Sequence, residues 1–315
     1  MSTAPITSVF PEYIDNTVLK DFRACPQRFF RKRVQGLRPT IGSIGADAIF
    51  GGCFAKGAEI TRKAYYVHGK RAVDSLSDGV DAALAKWASE VPVVPSRSNK
   101  TSVNLVLALQ HYFNKWPLDT SELRPIEDGI EGTFTKTLSP GLLHPTTGKP
   151  LQYAAKMDMV ARDNFDNFVV VDEKTTGRFS DAWLAQWDID PQMTGYIWLL
   201  QDFQLSGAPH ANIRGVEIAS AISSMLVPIF RTDHQTMMWY DQTIRDVRRM
   251  IEYWHNFMYW HDPALWDKTL GNACVAYSRP CEYMRLCNSP NAEEIAAADY
   301  KVEFWNPMQP EKEPI

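Results

Sequence analysis

No stretch of this chain is apolar for long enough to span a bilayer, and its opening MSTAPITSVFPEY has neither the basic start nor the apolar core of a signal peptide. The expectation is a cytoplasmic protein with no membrane contact. Cysteine is scarce, five in 315 residues, and without a secretory signal these read as free thiols or metal ligands rather than a disulfide framework. An excess of one charge sign is also lacking. The net charge is -4, so the total announces no nucleic-acid partner. The absence of a G-x-S-x-G elbow leaves a serine hydrolase unsupported. The absence of a G-x-x-x-x-G-K-[ST] loop means that any helicase has to be a separate partner. Internal repeats and low-complexity segments are missing too.

What is present is an ordinary globular composition, 45% hydrophobic and 22% charged, long enough for one large domain or two modest ones. Helical patterns occupy 17–25 and 26–34, broken at Cys25-Pro26, because proline suits a helix start and not its interior. Further helices are expected over 44–67, 78–90 and 101–115, and strands over 126–137, 153–163 and 167–174. A helix over 190–203 opens with Asp190 as N-cap and Pro191 at its first position. Strands over 212–219 and 223–231 and a long helix over 233–259 follow, and 263–315 reads as irregular with three cysteines. We therefore expect a single α/β domain over 1–300, with a helical part (16–120), a sheet-and-helix part (121–232) and a long helix with a cysteine-rich segment (233–300), before a tail over 301–315.

The segment FVVVDEKTTG (168–177) starts as a strand buried on both faces and ends in Asp172, Glu173 and Lys174. Side chains alternate along a strand, so Asp172 and Lys174 share one face and Glu173 takes the other. NFD (164–166) has the length of a hairpin loop. If Asp163 lies opposite Asn167, Asp158 of YAAKMDMVARD lies opposite Asp172. Directly opposed carboxylates repel. A divalent cation bound between them turns that repulsion into a site.

Basic residues concentrate between Lys20 and Arg38, with Arg28, Arg31, Lys32 and Arg33 interleaved with Phe22, Phe29 and Phe30. Such a mixture suits phosphate contacts and base stacking, or else a solvated helix face with its apolar side in the core. Arg245, Arg248 and Arg249 on the long helix allow the same two readings. His255 and His261, six residues apart, do not share a helix face for a metal.

Taken together, Asp158 in KMDMV, Asp172 and Lys174 in VVDEKTTG, and Gln192 and Tyr196 in QMTGY resemble the RecB-like branch of the PD-(D/E)xK nucleases, which includes iron-sulfur CRISPR-associated and phage exonucleases. The resemblance covers roughly 16 to 290. It implies a restriction-endonuclease-like mixed central sheet flanked by helices, with a helical N-terminal part and a cysteine-rich C-terminal part. It also implies that Asp158 and Asp172 hold Mg2+ or Mn2+ with the Glu173 backbone carbonyl, that Lys174 serves the attacking water or the transition state, and that Gln192 and Tyr196 position DNA.

Where the family carries a helical histidine, GCFAKGAE places Lys56, which as an ammonium cannot ligate a metal. Glu59, about one turn later, is a further candidate ligand. In cluster-bearing members one early and three late cysteines bind a [4Fe-4S] cluster. Cys25, Cys274, Cys281 and Cys287 match that pattern, with Zn2+ or plain buried thiols as the alternatives. Cys53 is expected to be a core thiol. The implied activity is a metal-dependent deoxyribonuclease, an exonuclease on DNA ends or single strands in recombination, repair or phage DNA processing, with a helicase or recombination protein as partner. The alternatives are an inactive DNA-binding scaffold that retains the fold and cluster, and an accessory factor in spacer acquisition.

Overall fold

The structure, a computed structural model, describes residues 7–40, 45–90, 98–204, 207–271, 273–276 and 279–309. In chain order these form β1 (Tyr13–Ile14), α1 (Asn16–Ala24), α2 (Pro26–Phe29), β2 (Leu37–Pro39), α3 (Ala46–Arg62), α4 (Ala72–Glu90) and α5 (Ser102–Lys115). Next come β3 (Arg124–Thr137), β4 (Gln152–Arg162), β5 (Phe168–Thr176), α6 (Asp181–Ala185), α7 (Pro191–Leu200), β6 (His210–Ile218), β7 (Ile222–Ile229) and α8 (Asp233–Trp260). The chain closes with β8 (Val275–Ala276), β9 (Arg279–Pro280), α9 (Met284–Asn288), α10 (Ala292–Asp299) and β10 (Tyr300–Val302). Among the described residues no helix is long and apolar enough to cross a membrane.

The expected elements are found with ends shifted by a few residues, except that α4 begins at Ala72 rather than 78. Position 44, where a helix was expected to start, and 310–315 of the tail lie outside the described residues. The segment after 263 is not wholly irregular. Its alanine-rich α10 leads into β10, which pairs antiparallel with β2, Tyr300 opposite Pro39 and Val302 opposite Leu37. Elements this short leave no periodicity to read.

The described residues fall into two compact units. One takes those within Met1–Ser43, Thr135–Ala155 and Met237–Pro310. Its centre is aromatic: Trp266 is fully buried and stacks on Phe30 and Tyr253, with ring centroids 5.3 and 5.1 Å apart. Asp15 caps α1 by accepting from the Val18 amide at 2.6 Å, and β1 pairs in parallel with the opening residues of β4.

The other unit takes those within Ile44–Phe134 and Lys156–Thr236 and carries a mixed sheet. There β4 and β5 form an antiparallel hairpin, β5 and β6 run parallel, β6 and β7 antiparallel, and β3 pairs with β4. Helices α3, α4 and α5 pack through Phe50, Phe54, Ala83, Leu105, Leu109 and Tyr112 in one core with Val216 and Ile218 of β6. Helices α3 and α4 meet backbone to backbone. A Cβ on Gly79 would lie 1.9 Å from Thr61 Oγ1 and 2.4 Å from the Gly57 carbonyl oxygen, so only glycine fits. That contact seats α3, the helix that carries Lys56, Glu59 and Arg62.

Candidate active site

The loop NFD closes the β4–β5 hairpin. Asp166 adopts a left-handed conformation (φ 65°) that ends the three-residue turn, and the Asp163 carboxylate accepts from the amides of Phe165 and Asn167 at 2.8 and 2.9 Å. The register runs from Arg162 opposite Phe168 to Met159 opposite Val171. One further step in the same register sets Asp158 opposite Asp172. The Asp158 carboxylate also accepts from the Glu173 amide at 2.8 Å.

Asp172 is buried, and its carboxylate forms an ion pair with Lys174, whose side chain is 32% exposed. Burial raises the Asp172 pKa, with Glu173 and Asp190 adding to the effect, even though Lys174 opposes it. Burial also works against the charge on Lys174, but Asp172 and Asp158 outweigh it and hold the ammonium above its ordinary pKa. Asp158 is raised furthest, by burial first and then by Asp172 and Glu173.

The opposite face of β5 holds a second layer. Glu173 is buried and ion-paired with Arg62 of α3, and its Oε1 accepts from the Tyr112 hydroxyl of α5 at 2.8 Å. Burial alone would raise Glu173, but Arg62 and these hydrogen bonds bring it below the usual carboxylate range. Beside this layer Glu131 pairs with Lys156 at 2.7 Å. Glu59 pairs with Lys56 at 3.1 Å and Lys63 at 2.7 Å. Asp158 is the exception. Among the described residues no base forms an ion pair with it.

Helix α7 supplies the remaining motif residues. Asp190 caps it through the Met193 amide at 2.9 Å. Gln192 Nε2 donates to the Tyr196 hydroxyl at 2.6 Å, and that hydroxyl donates to the Lys156 carbonyl at 3.0 Å, two residues before Asp158. Tyr196 is buried, so its visible role is to tie α7 to β4.

Other expected site residues lie in the first unit. The basic run turns largely inward: Arg31 and Arg33 are buried, Arg33 grips Asp21 at 2.6 Å, and Arg31 donates to Gln35 at 2.9 Å. Arg28 and Lys32, partly exposed, lie 3.4 and 3.5 Å from Asp21 and 3.6 and 3.4 Å from Glu282. The expectation that these basic side chains contact nucleic acid is therefore corrected for Arg31 and Arg33, whose side chains are buried inside the unit.

Cys25, Cys274, Cys281 and Cys287 line a single cavity of about 190 Å³. Burial raises the thiols of Cys281 and Cys287, and the nearby Cys25 adds to the rise. Among the described residues, no set of three or more His, Cys, Asp or Glu side chains is already drawn together as metal ligands. Cys53 is a core thiol, pushed up to about 11 chiefly by burial.

A family model described as the PD-(D/E)XK nuclease superfamily matches residues 16–288. The chain belongs to this superfamily. Among solved structures, a candidate exonuclease of Eubacterium rectale aligns at 12% identity over 88% of this chain and 94% of its own, with a TM-score of 0.48. A protein named SSO0001 aligns at 12% identity over 73% and 84%, with a TM-score of 0.29. No curated protein matches the chain.

Four residues packed around the candidate site escaped the motif: Arg62, Tyr112, Glu131 and Lys156. Glu131 has a left-handed backbone (φ 55°) inside β3, a conformation rare for a non-glycine residue and concentrated at functional sites. The usable signal was EDGIEG, acids flanked by two glycines within a strand. A Cβ on Gly129 would lie 2.4 Å from the Val160 carbonyl, so that glycine marks where β3 closes on β4.

The unpaired Asp158 yields a first prediction. A carboxyl whose folded pKa lies above its ordinary 3.8 contributes stability below that value and loses it as pH rises through the folded pKa. Asp158→Asn keeps an acceptor for the Glu173 amide and removes the charge. In chelator, the variant is expected to melt higher than the parent at pH 8 and to converge with it near pH 4, as followed by circular dichroism. A variant that melts lower at both pH values would make Asp158 an ordinary structural hydrogen-bond acceptor.

Proposed function

We propose that this nuclease hydrolyses DNA with a divalent cation held by Asp158 and Asp172, working from DNA ends or on single strands. The observation that carries the reading is Asp158, a half-buried carboxylate beside the buried Asp172 with no ion-pairing base among the described residues. Such a pair is costly without a cation, and hard oxygen donors suit Mg2+ or Mn2+. When bound, that ion would lower the pKa of a water and neutralise charge on the scissile phosphate. The Glu173 backbone carbonyl is the third donor we assign; Glu59 of α3 is already held by Lys56 and Lys63 and is not assigned as a donor.

The protein's own groups supply the rest. Lys174, held protonated by its acidic neighbours, presents an ammonium to the charge that develops on the phosphate. Its raised pKa favours this role over that of a general base. Gln192 places its amide beside the Tyr196 hydroxyl at the start of α7, where it can orient the nucleic acid, and Arg28 and Lys32 offer partly exposed positive charge for the backbone. Incubation of end-labelled linear DNA, single- and double-stranded, beside closed circular DNA with Mg2+ or Mn2+ tests the reading. Loss of the linear substrates alone is expected. Intact DNA in every lane, with binding retained, would favour the scaffold reading.

We also propose that the four cysteines around the shared cavity hold a [4Fe-4S] cluster. Four thiolates meet its ligand requirement, and the four half-buried side chains would bind the cluster as thiolates. Anaerobically purified protein is expected to be brown and to lose its visible absorbance, with a fall in Tm, on Cys281→Ser. Colourless protein with one zinc per chain would replace the cluster by a zinc site.

A further inference from the structure

The second unit contains the converse of Asp158, a buried cation without an anion. Arg214 of β6 is only 8% exposed. Its guanidinium makes one long hydrogen bond, to the Tyr112 hydroxyl at 3.5 Å, and lies over the Trp116 ring at 5.1 Å. Its Nε is buried with no partner, and among the described residues no carboxylate lies within ion-pair distance of it. Glu173, opposite Arg214 in the β5–β6 register, is already held by Arg62. An uncompensated buried guanidinium is expensive, and proteins seldom keep one without a counter-ion.

Arg214 lines a cavity of about 300 Å³ together with Lys115, Trp116, Ser121, Glu122 and Asn212. In the register of β6, Asn212 shares the Arg214 face, and Leu226 of β7 lies opposite Arg214 as part of the wall. The cavity thus offers a buried fork of donors, a second base, an amide and the flat face of an indole. It is roomier than a bare phosphate needs. Among the described residues Glu122 is its only acidic lining residue, and it is exposed.

We infer that this cavity is a binding site for a phosphate-bearing anion, with Arg214 and Lys115 taking the phosphate and Trp116 available to a planar base. The guanidinium fork matches the geometry of phosphate oxygens, and the indole face is tolerant of the base it stacks. The inference stands whether or not the chain cleaves DNA, since none of these residues belongs to the Asp158–Asp172–Lys174 group.

Titration calorimetry in chelator, with inorganic phosphate, thymidine monophosphate and thymidine as separate probes, tests it. Wild-type protein is expected to bind phosphate, and Arg214→Met to bind it at least tenfold more weakly, about 1.4 kcal/mol. Lys174→Met should leave the affinity unchanged. Nucleotide binding much tighter than that of phosphate, and lost in Trp116→Leu, identifies a mononucleotide as the occupant. Equal affinities, indifferent to Trp116→Leu, identify free phosphate.

Without phosphate, Arg214→Met should melt no lower than wild type, because it removes an unpaired buried charge. Added phosphate should raise the melting temperature of wild type only. If Arg214→Met does not fold, Lys115→Ala and Trp116→Leu carry the same comparison. The inference is overturned if neither anion binds wild type up to about 10 mM, if the variants bind as wild type does, or if Glu122→Gln destabilises the free protein, which would make Glu122 the counter-ion of Arg214.

Discussion

Replacing Lys174 by methionine is expected to lower the rate of DNA cleavage by about 10²- to 10⁴-fold while leaving DNA affinity within a few-fold of wild type. The side chain is one-third exposed and its ammonium lies against Asp172, so it is the positive group available to a phosphate at the carboxylate pair. Methionine keeps the length of the stem and removes the charge. The same substitution leaves Asp172 buried without its base, and its already raised pKa should rise further. The cleavage optimum of the residual activity should therefore move to higher pH, where Asp172 is again ionised. Single-turnover rates across pH, with binding measured separately by anisotropy, check both effects. A fall in affinity equal to the fall in rate would instead make Lys174 a plain DNA contact.

The second large effect concerns stability. Arg62→Met is expected to cost about 3–5 kcal/mol in urea denaturation, because it strands Glu173 in the interior. Both side chains are almost fully buried, Glu173 also accepts from the Tyr112 hydroxyl, and Arg62 also donates to that hydroxyl at 2.6 Å. Removing the pair together in Arg62→Met/Glu173→Met should recover most of the loss, since two apolar side chains leave no unpaired charge. A loss below about 1 kcal/mol for the single variant would mean that water reaches Glu173 and that the second layer is not sealed. The pair also bears on the site, because the Glu173 amide is a hydrogen-bond donor to Asp158. Loss of Arg62 is therefore expected to weaken divalent-ion binding even where folding survives.

The hairpin was legible because its signals are local. A three-residue loop fixes the register, and the alternation of a strand then decides that Asp172 and Lys174 share a face that Glu173 does not. Helix α7 was legible for the same reason, with Asp190 and Pro191 marking its first turn. What escaped depends on residues far apart in the chain. Nothing near Arg62 announces that it closes on Glu173, 111 positions later. The basic run from Lys20 to Arg38 reads as a nucleic-acid surface until Asp21 and Glu282 are found among its charges, the latter delivered by the cysteine-rich segment. Lys56 is explained by the fold. It stands where a histidine was expected, and it neutralises Glu59 rather than approaching as a ligand.

The most direct test of the account is single-turnover cleavage of end-labelled DNA by wild type and Asp172→Ala, each with Mg2+ and with chelator. Products that require the metal and vanish in the variant, while the variant still binds DNA, are the predicted result. Equal cleavage by the two proteins, or cleavage that persists in chelator, would contradict the assignment of Asp158 and Asp172 as the carboxylates that hold the catalytic ion.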